Sequence, residues 1–263
     1  MPKRPTKPKS QKSQAPQRPL SPRARFRQIL SILLLPLWVF IALYGAQFFL
    51  ALVLSRFISY DTLLTPLWSA IYSALVYLLA LALIIFVPTK LFKVWRTSPE
   101  ELGLAGLPTW TDLALAPVGL VVSLLLGTGL IYLFSLLFPD IDLTQSQDLL
   151  GFATLTSNLD RLLAFVSLVV LAPMAEELIF RGWLYGKLRG KLPGQLSLPL
   201  AMLLVSALFG LVHGQWNVGL TVFAMSLVSC AFREITGTAY AGILLHMLKN
   251  GVAFVLLYVF MIQ

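Results

Sequence analysis

Leu162-Leu163-Ala164-Phe165-Val166-Ser167-Leu168-Val169-Val170-Leu171-Ala172-Pro173-Met174-Ala175-Glu176-Glu177-Leu178-Ile179-Phe180-Arg181-Gly182 places two acids and an arginine inside an apolar run of bilayer length. A helix needs about 20 apolar residues to cross roughly 30 Å of hydrocarbon. An ionised carboxylate near the bilayer centre costs on the order of 3 kcal/mol by insertion scales, so acids held there face a protein cavity and have a task. The stretch predicts a membrane helix with a polar site on it.

The rest of the chain agrees. Hydrophobic residues make up 58% of the 263 residues and charged residues only 12%, with a mean hydropathy of +0.83. A soluble domain is nearer half apolar and a quarter charged. The expected fold class is all-α, a polytopic transmembrane helical bundle of about seven spans. These fall near 28–54, 64–88, 113–138, 161–186, 197–213, 216–232 and 238–262, the fifth and sixth being short. The turn Gly214-Gln215-Trp216-Asn217 between those two is tight or partly re-entrant. No internal repeat is visible, which weakens a transporter built on inverted repeats.

The net charge of +9 belongs to one segment. Nine Lys/Arg lie within the first 28 residues, among them Lys3, Arg4, Arg25 and Arg27, with no acid. The remaining 11 Lys/Arg are balanced by 11 Asp/Glu. Residues 1–27 read as a disordered basic tail rich in Pro, Ser and Gln. Directly before an apolar span, such a tail is a cytoplasmic anchor for anionic lipid headgroups, rather than a nucleic-acid arm. The long apolar stretch that follows argues against a cleaved signal peptide.

Loop charges then orient the chain. Lys90, Lys93 and Arg96 lie in one loop, and Lys187, Arg189 and Lys191 in another. The loop 139–160 carries Asp140, Asp142, Asp148 and Asp160 and is expected to be external. The positive-inside rule gives N-terminus in and C-terminus out. Three N-terminal spans (28–138) and a C-terminal core of about four (161–263) follow. The stretch 97–112 reads as a capped amphipathic piece at the interface or as an ordinary connecting loop. Cys230 is the single cysteine, so no intrachain disulfide forms.

Ionisable residues inside the spans narrow the chemistry. All six aspartates fall in loops or at span edges, which removes an intramembrane aspartyl protease. Ser206, Ser226 and Ser229 lack a Gly-x-Ser-x context, and the soluble zinc-protease pattern His-Glu-x-x-His is absent. What remains is Glu176, Glu177, Arg181, His213, Arg233, Glu234, His246 and Lys249, with Arg233 and Glu234 at a span end. Phe209 and His213, His246 and Asn250, and Glu177 and Arg181 each stand four apart, on one helical face. Glu176 is rotated about 100° from Glu177. If Glu177 pairs with Arg181 along its own helix, Glu176 is free to face a cavity shared with the histidines, where it suits a general base. Pro173 is expected to loosen the helix and free backbone carbonyls there. Lys249, about 100° from Asn250, either snorkels to the interface, which is the usual outcome, or addresses a cavity acid.

In these residues the chain resembles the CPBP family (CAAX proteases and bacteriocin-processing enzymes), the type II CAAX prenyl endopeptidase-like or Abi intramembrane proteases. The motifs are Glu176-Glu177-x-x-x-Arg181, Phe209-x-x-x-His213 and His246-x-x-x-Asn250, within about 161–255. Phe180-Arg181-Gly182 and Thr236-Gly237 add to the likeness. The resemblance implies hydrolysis of a peptide bond in a membrane-associated peptide, prenylated or of leader type. Glu176 would activate water with His213 positioning it, His246 and Asn250 would stabilise the oxyanion, and Glu177 and Arg181 would be an orienting ion pair. A second version of the family chemistry makes Glu176, His213 and His246 ligands of a divalent metal such as zinc; the sequence fits both. Rival readings are a non-proteolytic scaffold, regulator or immunity protein on the same fold, and a small-solute transporter. The expected location is a bacterial inner (plasma) membrane, with a thylakoid or other organellar membrane as the alternative.

One expectation strains the assignment. At about 1.5 Å per residue, His246 and Glu176 lie roughly 12 to 15 Å from the cytoplasmic helix ends and His213 roughly 24 Å. Tilt or a later start of the fifth span would have to close that gap.

Overall fold

The computed structural model describes residues 21–143, 152 and 155–260, and every regular element among them is helical. The elements are α1 (Pro22–Leu54), the single turn α2 (Tyr60–Leu63), α3 (Pro66–Phe86), α4 (Trp110–Leu137), α5 (Asn158–Lys191), α6 (Ser197–Leu211), α7 (Trp216–Thr236) and α8 (Tyr240–Tyr258). Six of these are long and apolar enough to cross a membrane, α3 counting with its π-helical extension to Leu91. The fifth expected span, α6, is shorter: its 15 residues rise about 22 Å, less than the hydrocarbon thickness. The bundle thus has six full-length apolar helices and one short one. Helix α1 begins at Pro22, inside the segment expected to be disordered. Tail residues 1–20 and Asp148 lie outside the described residues.

Local chemistry sets the helix ends. Ser21 caps α1 with its hydroxyl accepting from the Ala24 N–H, and Pro22 supplies a fixed φ at the first position. Thr109 and Asp112 form a reciprocal capping box at α4, as Ser157 and Asp160 do at α5. Helix α7 stops at Gly237, whose φ of 72° is open to glycine and strained for other residues. Asp112 does more than cap: it is buried, and its second oxygen accepts from the Thr238 hydroxyl at 3.2 Å, tying the start of α4 to the turn before α8.

Packing follows residue size. Helix α4 buries a single stripe of mostly small residues, Asp112, Ala116, Gly119, Ser123 and Gly127, and through it meets α7 and α8. Its other faces are apolar and exposed, with Leu125 and Val121 outward. Small residues let helix backbones approach closely where lipid supplies no hydrophobic drive between helices. The α6–α7 pair shows the same device: a Cβ on Gly210 would lie 2.8 Å from the Gly219 carbonyl oxygen. Helix α1 packs on α3, and α3 packs along α5.

The stretch 97–106 is a connecting loop with no helix, laid onto the C-terminal helices. Gly182 leaves room for the Leu102 carbonyl, and the Gly103 carbonyl accepts from the Ala239 N–H at 2.9 Å. Arg233 donates to the carbonyls of Glu100 and Glu101, and Lys187 pairs with the Glu101 carboxylate at 2.6 Å. Glu234 accepts from the Tyr185 hydroxyl at 2.8 Å and pairs with Arg189 at 3.3 Å. The charges at this end of the bundle therefore clamp loop to helix.

Removing the α4 cap with Thr109→Ala is expected to cost about 1 kcal/mol, and Asp112→Ala more, since it also removes the tie to the Thr238 hydroxyl. Thermal unfolding in detergent reads both; equal losses would show that the Thr238 contact contributes nothing.

Candidate active site

The site starts with a hydrogen bond that α5 does not make. Pro173 has no N–H, and α5 responds by widening: Val166–Leu171 is π-helical, Ala172–Glu177 returns to α, and Leu178–Tyr185 is π-helical again. In the widened turn the Ala172 N–H reaches back five residues to Ser167. The same register would pair the Leu168 carbonyl with residue 173, which has no donor. Asn250 on α8 takes that place, its Nδ2 donating to the Leu168 oxygen at 2.9 Å. The expectation that Pro173 frees a carbonyl is met, and the freed carbonyl fixes a site residue. The second amide hydrogen of Asn250 is left for another acceptor.

The two glutamates divide as their rotation on the helix requires. Glu177 is 0% exposed and Glu176 17% exposed. Glu177 Oε1 lies 3.1 Å from Arg181 Nη1, the expected i,i+4 pair. The same oxygen lies 3.2 Å from His246 Nδ1. This second contact corrects the simple division: Glu177 is shared between its own helix and α8, and it orients a histidine. An ionised carboxylate only accepts, so His246 Nδ1 carries the hydrogen and Nε2 points to Glu176 Oε2, 3.8 Å away. The other oxygen of Glu177 sits where Gly242 has no side chain; a Cβ there would come within 2.8 Å of it.

Phe209, fully buried, is the spacer that keeps these groups in register. Its ring meets His213 edge-on at 5.0 Å and His246 at 5.8 Å between centroids, and the Arg181 guanidinium lies over it at 4.3 Å. His213 Nδ1 contacts the Phe209 carbonyl at 2.7 Å, which commits that nitrogen as donor and leaves Nε2 as the free acceptor.

Glu176, His213, His246 and Asn250 all line one cavity of about 270 Å³. The depth gap between His213 and the other residues is closed although α6 starts no later than expected. None of the three candidate serines lines it. Tyr77 and Lys249 are among the lining residues that the motifs did not supply. Tyr77, from α3, donates its hydroxyl to Glu176 Oε1 at 2.5 Å. Lys249 also lines the cavity, the alternative to snorkelling that the sequence left open. A lone tyrosine inside the apolar run 74–86 was the available signal for Tyr77, but only the packing of α3 on α5 gives it a partner.

The alternative metal set is not assembled. Among the described residues no three His, Cys, Asp or Glu side chains come together closely enough to hold an ion. The residues thus fit the metal version poorly.

Arg181→Leu strands the buried Glu177 charge and is expected to destabilise the fold by roughly 3–5 kcal/mol. Glu176→Gln, at the cavity wall, should unfold close to the wild type. Gly242→Ala should displace the Glu177 carboxylate and cost stability as well. Denaturation in detergent ranks the three, and a stable Arg181→Leu protein would contradict the buried pair.

Residues 158–252 match the family model described as type II CAAX prenyl endopeptidase Rce1-like. No curated protein and no solved structure matches the chain. The matched segment spans α5 to α8 up to Val252 and contains all three motifs, so this part of the chain is similar to the type II CAAX prenyl endopeptidases.

Proposed function

We propose that the protein is an intramembrane endopeptidase that hydrolyses a peptide bond of a membrane-associated peptide with water activated by Glu176. One observation carries this reading: the Glu176 carboxylate is held by Tyr77 on one oxygen and presents the other to a cavity shared with His213, His246 and Asn250. A water held between Glu176 Oε2 and His213 Nε2 attacks the scissile carbonyl carbon while its proton passes to Glu176. Charge then builds on the carbonyl oxygen. Asn250 Nδ2–H is preorganised to receive it, and His246 Nε2 can join once protonated, an imidazolium that the Glu177 carboxylate stabilises from the other side. The C–N bond breaks as Glu176 returns the proton to the departing amine, leaving one carboxylic acid and one amine.

The family's description points to prenylated C-terminal peptides as substrates, with leader-type or bacteriocin peptides as the other class. The basic tail would hold anionic lipid on the cytoplasmic side of a bacterial inner membrane, giving the N-in, C-out arrangement.

The test is cleavage of quenched fluorogenic peptides, with and without a farnesylated cysteine near the C-terminus, in proteoliposomes. Glu176→Gln and His246→Ala should each lower turnover by at least about 100-fold while remaining folded, and the wild type should keep its activity in a chelator. Cleavage surviving in Glu176→Gln would overturn the mechanism. A wild type that cleaves nothing, with both variants retaining the biological function, would favour a scaffold or immunity role.

A further inference from the structure

Tyr77 does not belong to any of the three motifs, and it lies outside the matched segment, on a helix that the family resemblance leaves without a role. We infer that Tyr77 is a positioning residue for Glu176, and that α3 is therefore part of the active site rather than packing around it. The inference rests on the proteolytic reading of the cavity and adds to it what the N-terminal helices contribute.

The argument is geometric. A glutamate side chain has two equivalent oxygens and a nearly free terminal torsion, so an unheld carboxylate samples many orientations. The Tyr77 hydroxyl donates to Oε1 at 2.5 Å. It removes that freedom from one oxygen and leaves Oε2 directed at His246 Nε2 and the cavity. The phenol itself is constrained, because Val76 and Ala80 on the same helix are buried in the interface that α3 makes with its neighbours. Holding a reacting group in its productive geometry is one of the larger contributions an enzyme makes, and it depends on supports of this kind.

Tyr72 supplies the internal comparison. It stands five residues before Tyr77 on α3, and its hydroxyl donates to the Gln47 carbonyl of α1 at 3.0 Å, far from any catalytic group. Both tyrosines satisfy a phenol in an apolar helix, but only one does so on the proposed base.

The experiment compares Tyr77→Phe with Tyr72→Phe by two readouts. The first is independent of turnover: labelling of Glu176 by dicyclohexylcarbodiimide, followed by mass spectrometry. Tyr77→Phe frees Oε1 and should speed labelling several-fold, and Tyr72→Phe should leave it unchanged. The second uses the fluorogenic peptides. Tyr77→Phe should lower kcat on the order of 10-fold with KM nearly constant, the pattern of a contact that matters only in the transition state. Incorporation of 4-aminophenylalanine at position 77, which keeps a hydrogen-bond donor, should restore much of kcat. Unchanged labelling in Tyr77→Phe overturns the contact, and faster labelling with unchanged kcat overturns the positioning role. If the wild type cleaves no peptide, proteolysis falls, and the labelling ratio still decides whether Tyr77 holds the carboxylate.

Discussion

A single carboxylate oxygen, Glu177 Oε1, joins the helices of the C-terminal half of the bundle. It meets Arg181 at 3.1 Å and His246 at 3.2 Å, with no exposure of the side chain to solvent. A buried charge is tolerated only when its neighbours neutralise it, and here they come from two helices, α5 and α8. Phe209 on α6 completes the arrangement by touching Arg181 and both histidines. The ion pair thus acts less as a source of stability than as a register mark, specifying how three helices face one another. Glu176 is left to face the cavity because its neighbour in sequence is fully committed.

Much of this was legible before any coordinates. Helical spacing separated Glu176 from Glu177, paired Glu177 with Arg181 and joined Phe209 to His213, because those relations lie within one helix. Relations between helices were not legible. Spacing on α5 cannot show that His246 arrives at the same oxygen as Arg181, nor that Tyr77 from α3 reaches Glu176. Lys249 was left open between the interface and a cavity acid for a related reason: only the packing of its helix shows that it lines the cavity. The shortness of the fifth expected span was legible too, and α6 is the apolar helix of 15 residues at that place.

The expected depth mismatch of His213 was an artefact of treating helices as parallel rods that start at one plane. His213 lines the same cavity as Glu176, His246 and Asn250, although α6 begins at Ser197 as expected, and α6 meets α7 closely at Gly210 and Gly219. Small residues distribute the close approaches, and the polar groups follow where the backbones lead.

Pro173 has a consequence for assembly. In lipid an unpaired backbone carbonyl costs several kcal/mol, and α5 cannot satisfy Leu168 by itself. Its partner, Asn250, lies in the last helix of the described chain. Until that helix docks, α5 is a membrane segment with an open valence. The proline makes completion of the candidate site and completion of the bundle the same event.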